Sequence, residues 1–175
     1  MPKIEIACFN PVSAIIAFEN GADRIEFCDG LNQGGTTPNF ETTKQIRGKI
    51  NIPIFVMIRP RGGDFTYSDE EFLQMKSDVI QLKSLQVDGF VFGILDENNE
   101  VNILQNKELV DLAKPYPCTF HRAFDRAVDL ENTLEKVIDC GFKTILTSGQ
   151  KPNVSEGKEN LKKLIELSNK KIEIL

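Results

Sequence analysis

IEIACFNP, residues 4–11, carries a strand-like run into a turn that contains no glycine. A dinucleotide-binding sheet carries G-x-G-x-x-G after its first strand, where the backbone must approach a pyrophosphate. Here the first turn is Cys8-Phe9-Asn10-Pro11, and the glycine pairs Gly34-Gly35 and Gly62-Gly63 fall after the second and third strand-like runs. Of the two ways to close a parallel α/β sheet, the open doubly wound form and the (β/α)8 barrel, this turn favours the TIM-type barrel.

The rest of the chain repeats the same unit. Strand-like runs rich in Ile, Val, Phe and Thr occur at Ile4–Cys8, Arg24–Cys28, Ile54–Arg59, Gly89–Leu95, Cys118–Phe124, Thr144–Thr147 and Ile172–Leu175. Helical patterns fill the gaps, as strand-helix-strand units require. Asn10 caps a helix with Pro11 in its first position, ending at Gly21. Ser68 and Glu71 have capping-box spacing ahead of Phe72, Met75, Val79 and Leu82. Asp129 opens a helix that stops at Gly141, and Asn153 or Ser155 opens the last one. With no linker or composition break, residues 1–175 read as a single α/β domain.

Length limits that reading. A (β/α)8 barrel typically needs ~250 residues, with a floor near 200, and this chain has 175. The pattern yields about seven strands, and the chain ends in the seventh. The expectation is an incomplete barrel, truncated at its C-terminal side, with open edges on strands one and seven. Such edges predict marginal stability or a homo-oligomer.

Composition excludes several classes. A net charge of −5 argues against a nucleic-acid surface. The apolar runs IPIFVMI (52–58) and GFVFGIL (89–95) are too short for a ~20-residue membrane span, so no membrane partner is expected. No secretory signal opens the chain. The four cysteines, Cys8, Cys28, Cys118 and Cys140, form no C-x-x-C, and reduced thiols in a cytoplasmic protein are expected.

Barrel enzymes place their chemistry at the C-terminal ends of the strands. The ionisable residues there are Glu5, Glu26, Arg59, Arg61, Asp64, His121, Arg122 and Asp125, with Ser148 in the sixth turn. Glu5 and Glu26 lie within strands among apolar neighbours, where a carboxylate needs a partner or a function. Arg59 and Arg61 flank Pro60 and could clamp a carboxylate or phosphate. His121, the only histidine, suits proton transfer or metal ligation, and strand parity sends it and Arg122 to opposite faces. Thr147-Ser148-Gly149 before a helix could hold an anion on backbone amides.

The segments NGADRIEFC (20–28), GGTTP (34–38), PIFVMIRPRGGDFTYSD (53–69), TFHRAFD (119–125) and LTSGQ (146–150) together resemble the CutC copper-homeostasis family over essentially the whole chain. The resemblance implies a (β/α)8-type barrel and cytoplasmic Cu(I) handling, with copper as the bound ion. It also implies a shared cleft built from Glu5, Glu26, Arg59, Arg61, Asp64, His121, Arg122, Asp125 and Ser148. The copper ligands it implies are cysteines at the ends of strands one and two. Cys28 fits the second position. The family's first cysteine falls on Ala7, and Cys8, one residue later, reaches the same face only through a bulge. Two function classes result. One is a Cu(I)-binding homeostasis protein using Cys28, with help from Cys8 or His121. The other is a barrel enzyme on a small anionic metabolite, gripped by Arg59 or Arg61, with Glu5, Glu26 and His121 as catalytic candidates.

Overall fold

The computed structural model describes residues 3–175. Among them seven strands alternate with six α-helices, and paired strands run parallel. This is the repeat of a (β/α) barrel counted to a seventh strand, the fold class read from the sequence. The chain divides into two compact units. One holds the chain up to Asp64 together with Asp69–Val91, and the other holds Phe65–Ser68 with Phe92–Leu175.

In the first unit β1 (Glu5–Cys8), β2 (Arg24–Phe27), β3 (Ile54–Met57) and β4 (Gly89–Phe92, through Val91) lie side by side in chain order. β3 and β4 are buried along their whole length, as strands covered on both faces must be. Phe55 stands opposite Gly89, and a Cβ on Gly89 would meet the Phe55 ring at 2.6 Å. The missing side chain is therefore the space the ring occupies. Helix α1 (Pro11–Glu19) starts as expected: Asn10 caps it, accepting from Ser13 N at 2.8 Å, with Pro11 in the first turn. Helix α2 (Phe40–Arg47) follows, capped by Asn39, and α3 (Asp69–Lys83) begins just after Ser68.

In the second unit the buried amide of Asn106 clamps the end of β4 to α4 (Ile103–Ala113). Its Oδ1 accepts from Ile94 N at 3.1 Å, and its Nδ2 donates to Ile94 O at 2.7 Å. Next come β5 (Cys118–Phe120), α5 (Leu130–Cys140), β6 (Thr144–Ile145), α6 (Val154–Ser168) and β7 (Glu173–Ile174). Asp129 caps α5, and Gly141 ends it with φ 95°. Asn153 caps α6 through Glu156 N.

The strands are shorter than the sequence suggests, and one difference matters for the site. Cys118–Phe124 is not one strand. β5 stops at Phe120, and Arg122–Arg126 forms a 3-10 turn capped by His121, whose Nδ1 accepts from Ala123 N at 3.3 Å. The parity argument that sent His121 and Arg122 to opposite strand faces therefore does not apply.

Candidate functional site

Each unit gathers its own set of the residues singled out in the sequence. In the first, Glu26 lies within β2 and Cys28 just beyond its end, two residues apart and so on one face. Glu26 is 5% exposed. Its Oε1 accepts from Cys28 Sγ at 3.4 Å, and its Oε2 is buried with no hydrogen-bond partner among the described residues. Burial, reinforced by the charge of Glu5, pushes the Glu26 carboxyl up to about 7; the Cys28 contact and Arg24 oppose this. Burial also raises the Cys28 thiol well above its ordinary range, with the charge of Glu26 next in importance. The thiol therefore keeps its proton at neutral pH and donates it to the carboxyl. Glu5 has another role: it forms an ion pair with Arg24, whose guanidinium also lies 4.3 Å from the Phe55 ring centroid.

Cys8 adjoins this pair along the sheet, its carbonyl accepting from Cys28 N at 2.9 Å, but its side chain belongs to the other face. The β1–β2 register is regular, with Ala7 opposite Glu26 and Cys8 opposite Phe27. No bulge turns Cys8 onto the face shared by Ala7, Glu26 and Cys28. Its Sγ lies 3.5 Å from the carbonyl of Ile6, and burial raises its thiol.

Arg59 is 4% exposed and spends its guanidinium on backbone. Nη1 donates to Gln33 O at 2.9 Å and to Gly35 O at 3.0 Å, and Nη2 donates to Gly63 O at 2.9 Å. Gln33 completes the junction, with its Oε1 accepting from Gly62 N at 3.1 Å. A Cβ on Gly62 would come within 2.8 Å of Gln33 Cβ, so this close approach needs glycine. Arg59 thus acts as a staple between the two glycine loops. Arg61 pairs with Glu71 at 2.6 Å and with Asp64 at 2.9 Å.

Two residues at this site were not among the sequence candidates, although Gly35 belongs to a glycine pair read there. Gly35, with φ 97°, leaves a space bordered by Met57 and Cys28. A Cβ built there lies 3.4 Å from Met57 Cε, 3.6 Å from Cys28 Sγ and 3.7 Å from a Phe9 ring carbon. Met57 sits in the apolar run IPIFVMI and reads as core. Only the tertiary packing singles it out: Met57 shares a buried cluster with Cys28, Phe55 and Val91, and Met57 and Cys28 both border Gly35.

In the second unit Asp125 is the centre. Its carboxylate accepts from Thr147 Oγ1 at 2.5 Å, from Ser148 N at 3.1 Å and from Gln150 N at 2.8 Å, and it forms an ion pair with Arg122. The backbone amides of Ser148 and Gln150, after β6, converge as an anion nest. The anion they hold is the protein's own Asp125. Arg122 also donates to Ser148 Oγ at 2.7 Å, which fixes a half-exposed guanidinium. His121 is buried beside the Phe65 ring, with centroids 4.8 Å apart. Because its Nδ1 accepts from Ala123 N, the neutral ring carries its proton on Nε2. The nitrogen lone pair that would bind a metal or take a proton is thus occupied in capping the 3-10 turn. A Cβ on Gly93 would stand 2.8 Å from that nitrogen, so glycine makes room for the ring.

Among the described residues, no cluster of three or more His, Cys, Asp or Glu is arranged to hold a metal ion. No helix among them is long and apolar enough to cross a membrane.

The CutC family model matches residues 2–175. The chain belongs to the CutC family. Among CutC proteins, it is 43% identical over 168 residues to the family protein CutC of Photorhabdus laumondii subsp. laumondii, covering 96% of this chain and 68% of that one. It is 42% identical over 172 residues to the copper homeostasis protein cutC homolog of Homo sapiens, covering 98% of this chain and 63% of the relative. The chain therefore spans about two thirds of the length of these curated relatives. The crystal structure of a CutC protein from Streptococcus agalactiae superposes with a TM-score of 0.93 at 32% identity, covering 99% of this chain and 86% of that one.

Proposed function

We propose that this CutC-family chain is a cytoplasmic copper-homeostasis protein that holds Cu(I) at Cys28. The observation that carries the reading is the setting of that thiol. Cys28 is buried in an apolar cluster with Phe55, Met57 and Val91, with Phe9 packed against it, and its proton points at Glu26. Soft sulfur ligands select Cu(I), whereas carboxylates and carbonyls suit harder ions. Cu(I) is satisfied by few ligands, so a site with one thiol and an apolar wall favours it over zinc, which takes four. On loading, Cu(I) replaces the thiol proton, and Glu26 Oε1 is the adjacent acceptor. The charge of the ion is unchanged, and no electron is transferred.

The test is a Cu(I) titration against a competing chelator, comparing the wild type with Cys28→Ser. Stoichiometric binding by the wild type, lost in the variant, is expected. Equally weak binding by both overturns the proposal.

One observation favours a second reading, an enzyme acting on a small anionic metabolite. Glu26 is a buried carboxyl near neutrality with an unpartnered oxygen, which suits a general acid or base. Of the two candidate arginines in the same unit as Glu26, Arg61 is the more exposed and the stronger candidate for gripping the anion. The guanidinium of Arg59 already donates to three carbonyls, whereas that of Arg61 donates to two carboxylates. Calorimetry with phosphate and small carboxylates on the wild type and Arg61→Met checks it. Binding lost in the variant supports the reading, and no binding to the wild type refutes it.

A further inference from the structure

We infer that Met57 supplies the second sulfur of a two-sulfur Cu(I) site whose first ligand is Cys28. The inference rests on the reading of Cys28 as the copper thiol, and it assigns the partner ligand to a residue outside the cysteine set.

Three observations carry it. First, the parallel register of β2 and β3 runs Ile25 to Ile54, Glu26 to Phe55 and Phe27 to Val56. Continued one residue past the end of β2, this register would set Cys28 beside Met57, on the face that carries Glu26 and Phe55, and both residues do lie in one buried cluster with Phe55 and Val91. Second, Gly35 opens a space of about one methyl group that both side chains border. A Cβ there would make ordinary van der Waals contact with Met57 Cε, Cys28 Sγ and a Phe9 ring carbon. An ion between the two side chains would therefore be covered by a residue with no side chain of its own. Third, Cys8, the other cysteine on these strands, belongs to the opposite face, opposite Phe27. Among the described residues of this cluster, Met57 is the remaining sulfur, and it is 4% exposed. Thiolate and thioether are both soft donors matched to Cu(I).

The unbranched methionine side chain suits this role. Three rotatable bonds let the sulfur turn towards Cys28 without moving β3. Phe9, Phe55 and Val91 wall the two sulfurs with apolar surface, and the Glu26 carboxyl is the adjacent oxygen donor.

Cu(I) itself is the probe. Competition titrations are run on the wild type, Met57→Leu and Cys28→Ser, with X-ray absorption at the copper edge to count sulfur neighbours. Leu nearly conserves volume, so Met57→Leu should remain folded. Two sulfur neighbours are expected in the wild type and one in Met57→Leu. Loss of an outer-shell partner typically weakens a metal site about 10–100-fold, and loss of a direct ligand should weaken it at least as much.

A second measurement leaves the sequence intact. Selenomethionine replaces all three methionines, Met1, Met57 and Met75, and the selenium edge is read before and after loading. A copper neighbour of selenium that disappears in labelled Met57→Leu is the expected result. If Met57→Leu binds as the wild type does and selenium shows no copper, while Cys28→Ser loses binding, the inference fails and the Cys28 reading stands. If the wild type and Cys28→Ser bind equally weakly, the Cys28 reading fails and Met57 falls with it.

Discussion

Gly157, in the first turns of α6, lies so close to Ser148 that a Cβ built on it would stand 1.7 Å from the Ser148 carbonyl oxygen. Nothing in that contact can give way cheaply, because both sides are backbone. Gly157→Ala is therefore predicted to destabilise the protein even though alanine is the better helix former by about 1 kcal/mol. Overpacking of this kind costs about 1–3 kcal/mol or more. A urea titration of the variant against the wild type checks it, and an unchanged or raised midpoint contradicts it.

The raised Glu26 carboxyl makes a signed prediction about pH. Its folded value of about 7 lies above the ordinary 4.5, so the folded state holds an extra proton between those values. Glu26 then contributes stability that is present below the ordinary value and lost as pH rises through about 7, up to roughly 3 kcal/mol. Glu26→Gln removes this dependence. The stability difference, wild type minus variant, should fall between pH 5 and pH 8. A flat difference across that range refutes the assignment.

Arg59→Lys tests the staple. Lysine presents one ammonium where the guanidinium spans Gln33, Gly35 and Gly63. Two of the three carbonyls are expected to lose their donor, at about 1–3 kcal/mol each where they are buried. Limited proteolysis should then cut within residues 30–35 or 60–64, while the helices remain protected.

Asp125→Asn tests the self-filled nest. The amide cannot accept from Arg122, Thr147, Ser148 and Gln150 together, and its NH2 must face at least one of their donors. A loss of about 3 kcal/mol is expected from the broken ion pair and the orphaned amides. It is measured as a shift in the unfolding midpoint, and a neutral substitution contradicts it.

The parts legible in the sequence are those whose physics is local. Asn10, Asp129 and Asn153 each satisfy the amide three residues ahead, so a cap can be read within a single turn. Glu26 and Cys28 share a face because they are two residues apart near the end of one strand. The end of β5 was not legible. TFHRAFD has strand-like composition, and the chain turns there because His121 accepts from a backbone amide two residues on. The role of Arg59 was hidden for a different reason. Two of its three carbonyl partners lie 26 and 24 residues back, and a carbonyl is the same on every residue. Met57 was hidden because a methionine in an apolar run looks like any other core residue until tertiary packing sets it in one cluster with a thiol.

The Arg59 staple has a kinetic consequence. Residues 30–35 and 59–64 belong to different strand-to-helix connections, yet one guanidinium and one glutamine side chain tie them together. Neither segment can lift alone while those bonds persist, so the two open together, and Gly35, which borders the Cys28 sulfur, opens with them. Exchange of the Gly35 and Gly62 amides with solvent should then follow a single opening rate, and thiol reagents should reach Cys28 at that same rate however much reagent is added.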